Sequence, residues 1–194
     1  DTNSTAGDTT ADATPASDPT AAQYATIGAD IGTAATDAEN LALLNDIVGA
    51  SQATDVDTIA EINNLARIAN AIQQTAAGQT PSPALTPADL AKAGLSGVTA
   101  DNLTAVLNAI AAQADNGSAT DSLPELQAVI NTAATAYANA LDAISAVAEG
   151  NSATTTSPSA QQYADAGVSG VTSANLAAIN SALNSTPVTG AEVN

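Results

Sequence analysis

Asp55, Asp57 and Glu61 gather carboxylates at the start of a helix-forming stretch, and oxygen ligands of this kind suit calcium. Their spacing is not that of an EF-hand loop, and acidic side chains at a helix start complement its dipole. Capping is the stronger reading, with loosely bound calcium as the one cofactor left open. Asp121, beside Ser122, reads the same way. The means for catalysis are otherwise thin. The chain has no histidine and no cysteine, which removes the usual proton shuttle and the soft metal ligands. No serine sits in a Gly-x-Ser-x-Gly elbow or a Ser-x-x-Lys pair. Lys92, the sole lysine, reads as solvated. The expectation is a protein that is not an enzyme and holds no resident metal.

Tyr24 and Tyr163 stand at equivalent places, four residues before a glycine, and Leu90 fills that place in between. A position that accepts Tyr or Leu is a packing position. Tyr24, Tyr163, Leu176, Ile179, Leu183 and Val188 are therefore the candidate packing and assembly residues.

The elements that carry these side chains follow from punctuation and period. Asp18-Pro19, Thr86-Pro87 and Ser157-Pro158 read as helix starts, with Asp, Thr or Ser as N-cap and proline at the first helical position. Gly28, Gly94 and Gly167 read as the left-handed residues that end these short helices. A second helix follows each, with Thr36, Thr99 and Thr172 as N-caps and Glu39 completing a capping box on Thr36. Its apolar rows keep helical spacing: Leu41, Leu44, Ile47 and Val48, then Leu103, Val106, Leu107 and Ile110, then Leu176, Ile179 and Leu183. Asn40, Asn102 and Asn175, early in these helices, are expected to hydrogen-bond back across the preceding loop. A longer third helix opens at the boxes Thr58-x-x-Glu61 and Ser122-x-x-Glu125.

The expected architecture is all-α: tandem three-helix-bundle repeats, about two and two-thirds units, behind an extended N-terminal tail. The boundaries fall at 1–17 for the Thr/Ala/Asp-rich tail, 18–78 for the first unit and 79–85 for a Pro/Ser/Thr linker. The second unit is 86–150, a second linker 151–156, the partial third unit 157–184, and 185–194 a non-helical C-terminal tail. The step from Gly94 to Gly167 is 73 residues, a self-similarity that marks a repeat protein. The third unit lacks its long helix, so a neighbouring copy of the chain is the expected cover for its open face.

Composition narrows the partners. About a quarter of the residues are alanine, and Phe, Trp and Met are absent, so the core is thin and each helix buries little area at about 25 cal/mol per Å². The formal charge is −18, with Arg67 and Lys92 as the only cations. Such a surface repels phosphate backbones and anionic membranes, which argues against nucleic acid and membrane insertion. The Thr/Ser/Ala/Asp-rich chain starts at Asp1 rather than Met, and the expectation is a processed product or excised fragment located outside the cell.

At Gly167-Val168-Ser169-Gly170-Val171-Thr172-Ser173-Ala174-Asn175-Leu176 the chain resembles a helical repeat of very large bacterial surface and secreted adhesin-like proteins. Those repeats carry a Tyr-Ala-x-x-Gly-Val-x-Gly-Val-Thr-x-x-Asn-Leu core, followed by a helix opening near a Thr-x-x-Glu box. Tyr163, Gly167, Gly170, Val171, Thr172, Asn175, Leu176 and Asn180 match. Gly94, Gly97, Val98, Thr99, Asn102 and Leu103 match again, with Leu90 in place of the tyrosine and Leu107 in place of the later asparagine. The first copy has extra residues between Gly28 and Asn40. There is a looser similarity to three-helix albumin-binding modules.

The resemblance implies a structural role: a self-associating subunit of an extracellular filament or adhesin stalk, a homo-oligomer or polymer of the kind found in biofilms. The alternative is an adhesin module gripping a host protein or carbohydrate. Ice binding by Thr/Ala surfaces such as Thr132-Ala133-Ala134-Thr135 is a minor one.

Overall fold

The short helices start where a side chain can satisfy free backbone N–H groups, and this places two of them later than the prolines suggest. In the computed structural model, which describes residues 18–113, 120–149 and 156–184, Thr20 caps α1 (Ala21–Thr26) and Ser159 caps α7 (Ala160–Asp165). Each forms a full capping box with Gln23 or Gln162 at the third helical position. Asp18 and Ser157 are therefore not the N-caps, and Pro19 and Pro158 lie outside the helices. Only α4 (Pro87–Lys92) follows the expected pattern, with Thr86 as cap, Pro87 at the first position and Asp89 closing the box.

Among the described residues the chain is all-helical, without strands. The remaining helices are α2 (Ala38–Ala50), α3 (Ile59–Ala76), α5 (Leu103–Ala111), α6 (Leu123–Ala148) and α8 (Leu176–Leu183). Asp37, not Thr36, caps α2: its carboxylate accepts from the N–H groups of Glu39 and Asn40. A 3-10 turn, Gly32–Ala35, takes up the extra residues of the first copy and ends at Thr36, which leaves Thr36 no N-cap role. Thr58 caps α3 through a complete box with Glu61, as its sequence predicts.

Each short helix ends in the same hydrogen-bonded turn. At Gly94 (φ +84) the Leu95 N–H reaches the Leu90 carbonyl at 3.0 Å and the Gly94 N–H reaches that of Ala91 at 3.0 Å. The same pair of bonds closes α1 at Gly28 and α7 at Gly167, and a left-handed glycine makes both possible.

The described residues divide into two compact units, one formed by those from 18 to 100 with those within 107–130, the other by 101–106 with those within 131–184. In the first, Leu43, Leu44 and Ile47 of α2 and Ile68 and Ile72 of α3 are wholly buried, interleaved with buried Ala66, Ala69 and Ala71. Leu90, Ile110, Leu126 and Ile130 are also wholly buried there. In the second, Ala140, Ile144, Val147 and Tyr163 are buried, whereas α8 buries none of its residues. The calls on residues 1–17 and 185–194, including Val188, lie outside the described residues, as do those on 151–155 and Gly150.

Candidate functional site

The two tyrosines singled out from the sequence do the same thing. Tyr24 is 4% exposed and its hydroxyl donates to Asn45 Oδ1 at 2.9 Å, while Asn45 Nδ2 donates to the Pro19 carbonyl at 3.0 Å. Tyr163, also 4% exposed, donates to Asn180 Oδ1 at 2.7 Å, and Asn180 Nδ2 donates to the Pro158 carbonyl at 3.0 Å. The clasp ties the entry of each short helix to the middle of the next one. Burial and the nearby Asp18 push the Tyr24 hydroxyl up to about 12, and burial pushes Tyr163 up as well. Both hydroxyls are thus neutral hydrogen-bonding groups.

In the middle copy the corresponding residues are Leu85, Leu90 and Leu107, the first two buried. A half-satisfied polar network costs more than an apolar replacement, so the three positions change as a set. Asn180→Ala is expected to cost about 1–3 kcal/mol, because it leaves the Tyr163 hydroxyl and the Pro158 carbonyl unpaired. Leucine at 158, 163 and 180 together is expected to regain most of that loss in thermal unfolding. A triple variant less stable than the single one would mean the clasp is not replaceable as a unit.

Two amide side chains pin the loops behind the short helices. Asn63, the fifth residue of α3, accepts from the Asp30 N–H at 2.8 Å. Gln127, the fifth of α6, accepts from the Ser96 N–H at 2.9 Å and returns a bond to the Ser96 carbonyl at 3.1 Å. The first residues of the two long helices cover the helix-ending glycines. A methyl on Gly28 would lie 3.9 Å from Ile59 Cδ1, and one on Gly94 3.8 Å from Leu123 Cδ1.

The third copy differs. Among the described residues nothing lies within 4 Å of a methyl built on Gly167 or Gly170. Val168 is 45% exposed, where Leu95, at the matching position, is 3% exposed. Along α8, Ile179 and Leu183 are half-buried at the positions where Val106 and Ile110 of α5 are fully buried, and Leu176 is half-buried too. A groove of about 620 Å³ runs along this helix, lined by Val147, Leu176, Ala177, Asn180 and Asn184. The structure thus brings Tyr163, Leu176, Ile179 and Leu183 into one unit and leaves Tyr24 in the other.

The carboxylates behave as capping groups. Glu61 Oε2 accepts from the Thr58 N–H and from its hydroxyl, at 3.0 and 2.7 Å. The bond to Thr58 holds the Glu61 carboxyl below its ordinary range. The hydrogen bond with Glu61, together with that carboxylate's charge, holds Asp57 above its own. Asp121 and Glu125 repeat the pair, with Ser122 as the donor that lowers Glu125. Glu61 is turned back on its own helix end, and among the described residues no group of three or more carboxylates is placed to hold a metal ion.

Sequence reasoning missed the pairing of Arg67 with Asp89, across α3 and α4. The isolated charge on the buried side of α3, where the other near residues are Leu65, Ile68 and Ala69, was the available signal. Arg67 also bonds Asn64 Oδ1 at 3.3 Å, and it lines a cleft of about 290 Å³ with Asn63, Asn70, Gln74, Pro81 and Pro83. Burial pushes the Asp89 carboxyl up, but bonds from Thr86 and Arg67 outweigh it and leave the group below its ordinary range. A carboxyl lowered on folding stabilises above its unfolded value, near 3.9, and that contribution is lost as pH falls below it. Asp89→Asn is expected to cost about 1.5–3 kcal/mol at neutral pH. It should also flatten the fall in stability below about pH 4, read as denaturant midpoints across pH.

No family model, no curated protein and no solved structure matches this chain. No helix among the described residues is long and apolar enough to cross a membrane.

Proposed function

We propose that this chain is a structural, self-associating element of an extracellular bacterial filament or adhesin stalk, built from tandem three-helix units. The observation that carries the reading is the repetition of one joint. The Tyr–Asn–Pro clasp occurs at Tyr24 and Tyr163, its apolar counterpart occupies the middle copy, and the same glycine-closed turn recurs all three times. Conserving a joint while its chemistry is swapped is what selection for geometry produces. Units of this kind stack their Ala/Leu/Ile seams on neighbours and gain stability by stacking. The charge of −18 keeps a surface chain soluble, and the Thr/Ala/Asp-rich segment 1–17 contributes to the contact between copies.

Light scattering on the purified chain, paired with negative-stain imaging, tests the proposal. Concentration-dependent growth into regular fibres is the expected result. A strict monomer at millimolar concentration would overturn it.

The Arg67 cleft favours a second reading, an adhesin module. Its amides and guanidinium offer donors to carbohydrate hydroxyls and carboxylates. Shifts confined to Asn70 and Gln74 in an NMR titration with acidic and neutral glycans would support it.

A further inference from the structure

In the middle copy the start of α6 sits against the end of α2. Asp46 Oδ2 accepts from the Leu123 N–H at 3.0 Å, and a methyl built on Gly94 would lie 4.0 Å from Ala50 Cβ. Asp46 and Ala50 are four residues apart, so they share one face of α2. The first copy has the matching surface without a helix end on it. Ile27 holds the place of Ala93, one residue before the glycine, and is 50% exposed where Ala93 is 1% exposed. Ile59 holds the place of Leu123 as the first residue of a long helix and is 46% exposed. It lies over Gly28, and its N–H has no acceptor among the described residues.

α5 carries the other half of such a contact. Counting from Leu103 and from Leu41, Asn108 and Ala112 stand where α2 has Asp46 and Ala50. Both are exposed, and the Asn108 side chain bonds no other described residue. We propose that the Ile27–Ile59 face of one copy seats on the end of α5 in a second copy, with Asn108 Oδ1 accepting from the Ile59 N–H and Ala112 packing on Gly28. The assignment rests on the self-association proposed above and names its contact. It repeats between chains the contact that α2 makes with Gly94 and Leu123 within one. Face and seat are different surfaces of the same chain, so the contact is head-to-tail and adds copies in a line unless it closes into a ring. An amide suits the place of Asp46 here, because chains of charge −18 meet without a further carboxylate between them.

Two exposed isoleucines are a small anchor, so the contact is read at high concentration, about 1 mM. Ile27→Lys blocks the face and Ala112→Lys blocks the seat. Both changes lower the net negative charge, so repulsion between chains cannot account for lost assembly. Circular dichroism checks the fold, and Ile27→Gln or Ala112→Gln replaces a variant that loses helix. In light scattering the unaltered chain is expected to grow with concentration, each variant alone to stay monomeric, and their equimolar mixture to stop at a dimer. In that mixture the Ile59 amide of the Ala112→Lys chain should exchange at least about fivefold more slowly. Adding Asn108→Ala to the Ile27→Lys chain should remove the slowing. A mixture that stays monomeric would overturn the proposal, and so would slowing that survives Asn108→Ala. Growth that needs Ile27 but ignores Ala112→Lys also overturns it, since another occupant, such as segment 1–17, would then hold the face. Failure of the filament reading is seen separately: fibres from the unaltered chain and from both variants reject this contact and keep the filament, whereas an unaltered chain that stays monomeric rejects both.

Discussion

Ile68→Ala is expected to remove about 2–5 kcal/mol of stability, the range for truncating a fully buried aliphatic side chain. Ile68 is 0% exposed in α3. Its neighbours along the buried stripe, Ala66, Ala69 and Ala71, have no rotamers with which to fill the space, so the cavity should persist and the cost should sit in the upper half of that range. Ile179→Ala removes the same atoms from a half-buried position on α8 and should cost well under half as much. The two compact units need not unfold together, so the comparison belongs in residue-resolved hydrogen exchange. Faster exchange throughout α2 and α3 for Ile68→Ala, with α7 amides unchanged, is the anticipated pattern. Equal losses for the two variants would show that the burial difference carries no energy.

Gly32→Ala is expected to be the most damaging single-methyl change, at about 3 kcal/mol from a left-handed penalty of about 1–2 and the loss of one or two hydrogen bonds at about 1 each. Gly32 has φ +56, and a methyl there would stand 2.3 Å from Asn70 Nδ2. Asn70 cannot simply move aside. Its Nδ2 donates to the Ile31 carbonyl at 3.2 Å and its Oδ1 accepts from the Thr33 hydroxyl at 2.6 Å. The Thr33 oxygen in turn accepts from Asn40 Nδ2 at 2.9 Å, so the disturbance reaches the start of α2. Gly167→Ala, with φ +80 and open space around it, meets the backbone penalty alone and should cost about 1–2 kcal/mol. Urea midpoints of the two variants measured side by side give the test. A Gly167 variant as damaged as the Gly32 one would mean that something already covers the third loop.

Much of the helical framework was legible because its signals are local. A Ser or Thr with Glu or Asp three residues later satisfies N–H groups within one turn, and so Thr58 and Thr86 are caps in the structure as in the sequence. The back-bonding expected of the early asparagines is also local, and Asn175 reaches the Thr172 N–H at 2.7 Å and the Gly170 carbonyl at 2.9 Å. The proline-based starts at Asp18 and Ser157 were wrong for a reason outside any local window. The carbonyls of Pro19 and Pro158 are held by Asn45 and Asn180, and the capping falls to Thr20 and Ser159. Thr36 failed as a cap because the 3-10 turn before it uses that residue as an end, and Asp37 offers the stronger acceptor.

The sequence by itself determined an all-helical chain, the order of its short, medium and long helices, and the glycines that end the short ones. These follow from side-chain periodicity and from hydrogen bonds that span three or four residues. Tertiary structure decided which polar side chains serve the joints. Asn45, Asn63, Gln127 and Asn180 are ordinary helix-surface residues in sequence, and each acquires its role from a partner 17 to 33 residues away. It also decided that Arg67 faces Asp89 and that Leu176, Ile179 and Leu183 of α8 are only half-buried. Pairing across that distance depends on how helices lie together, and helical period carries no record of it.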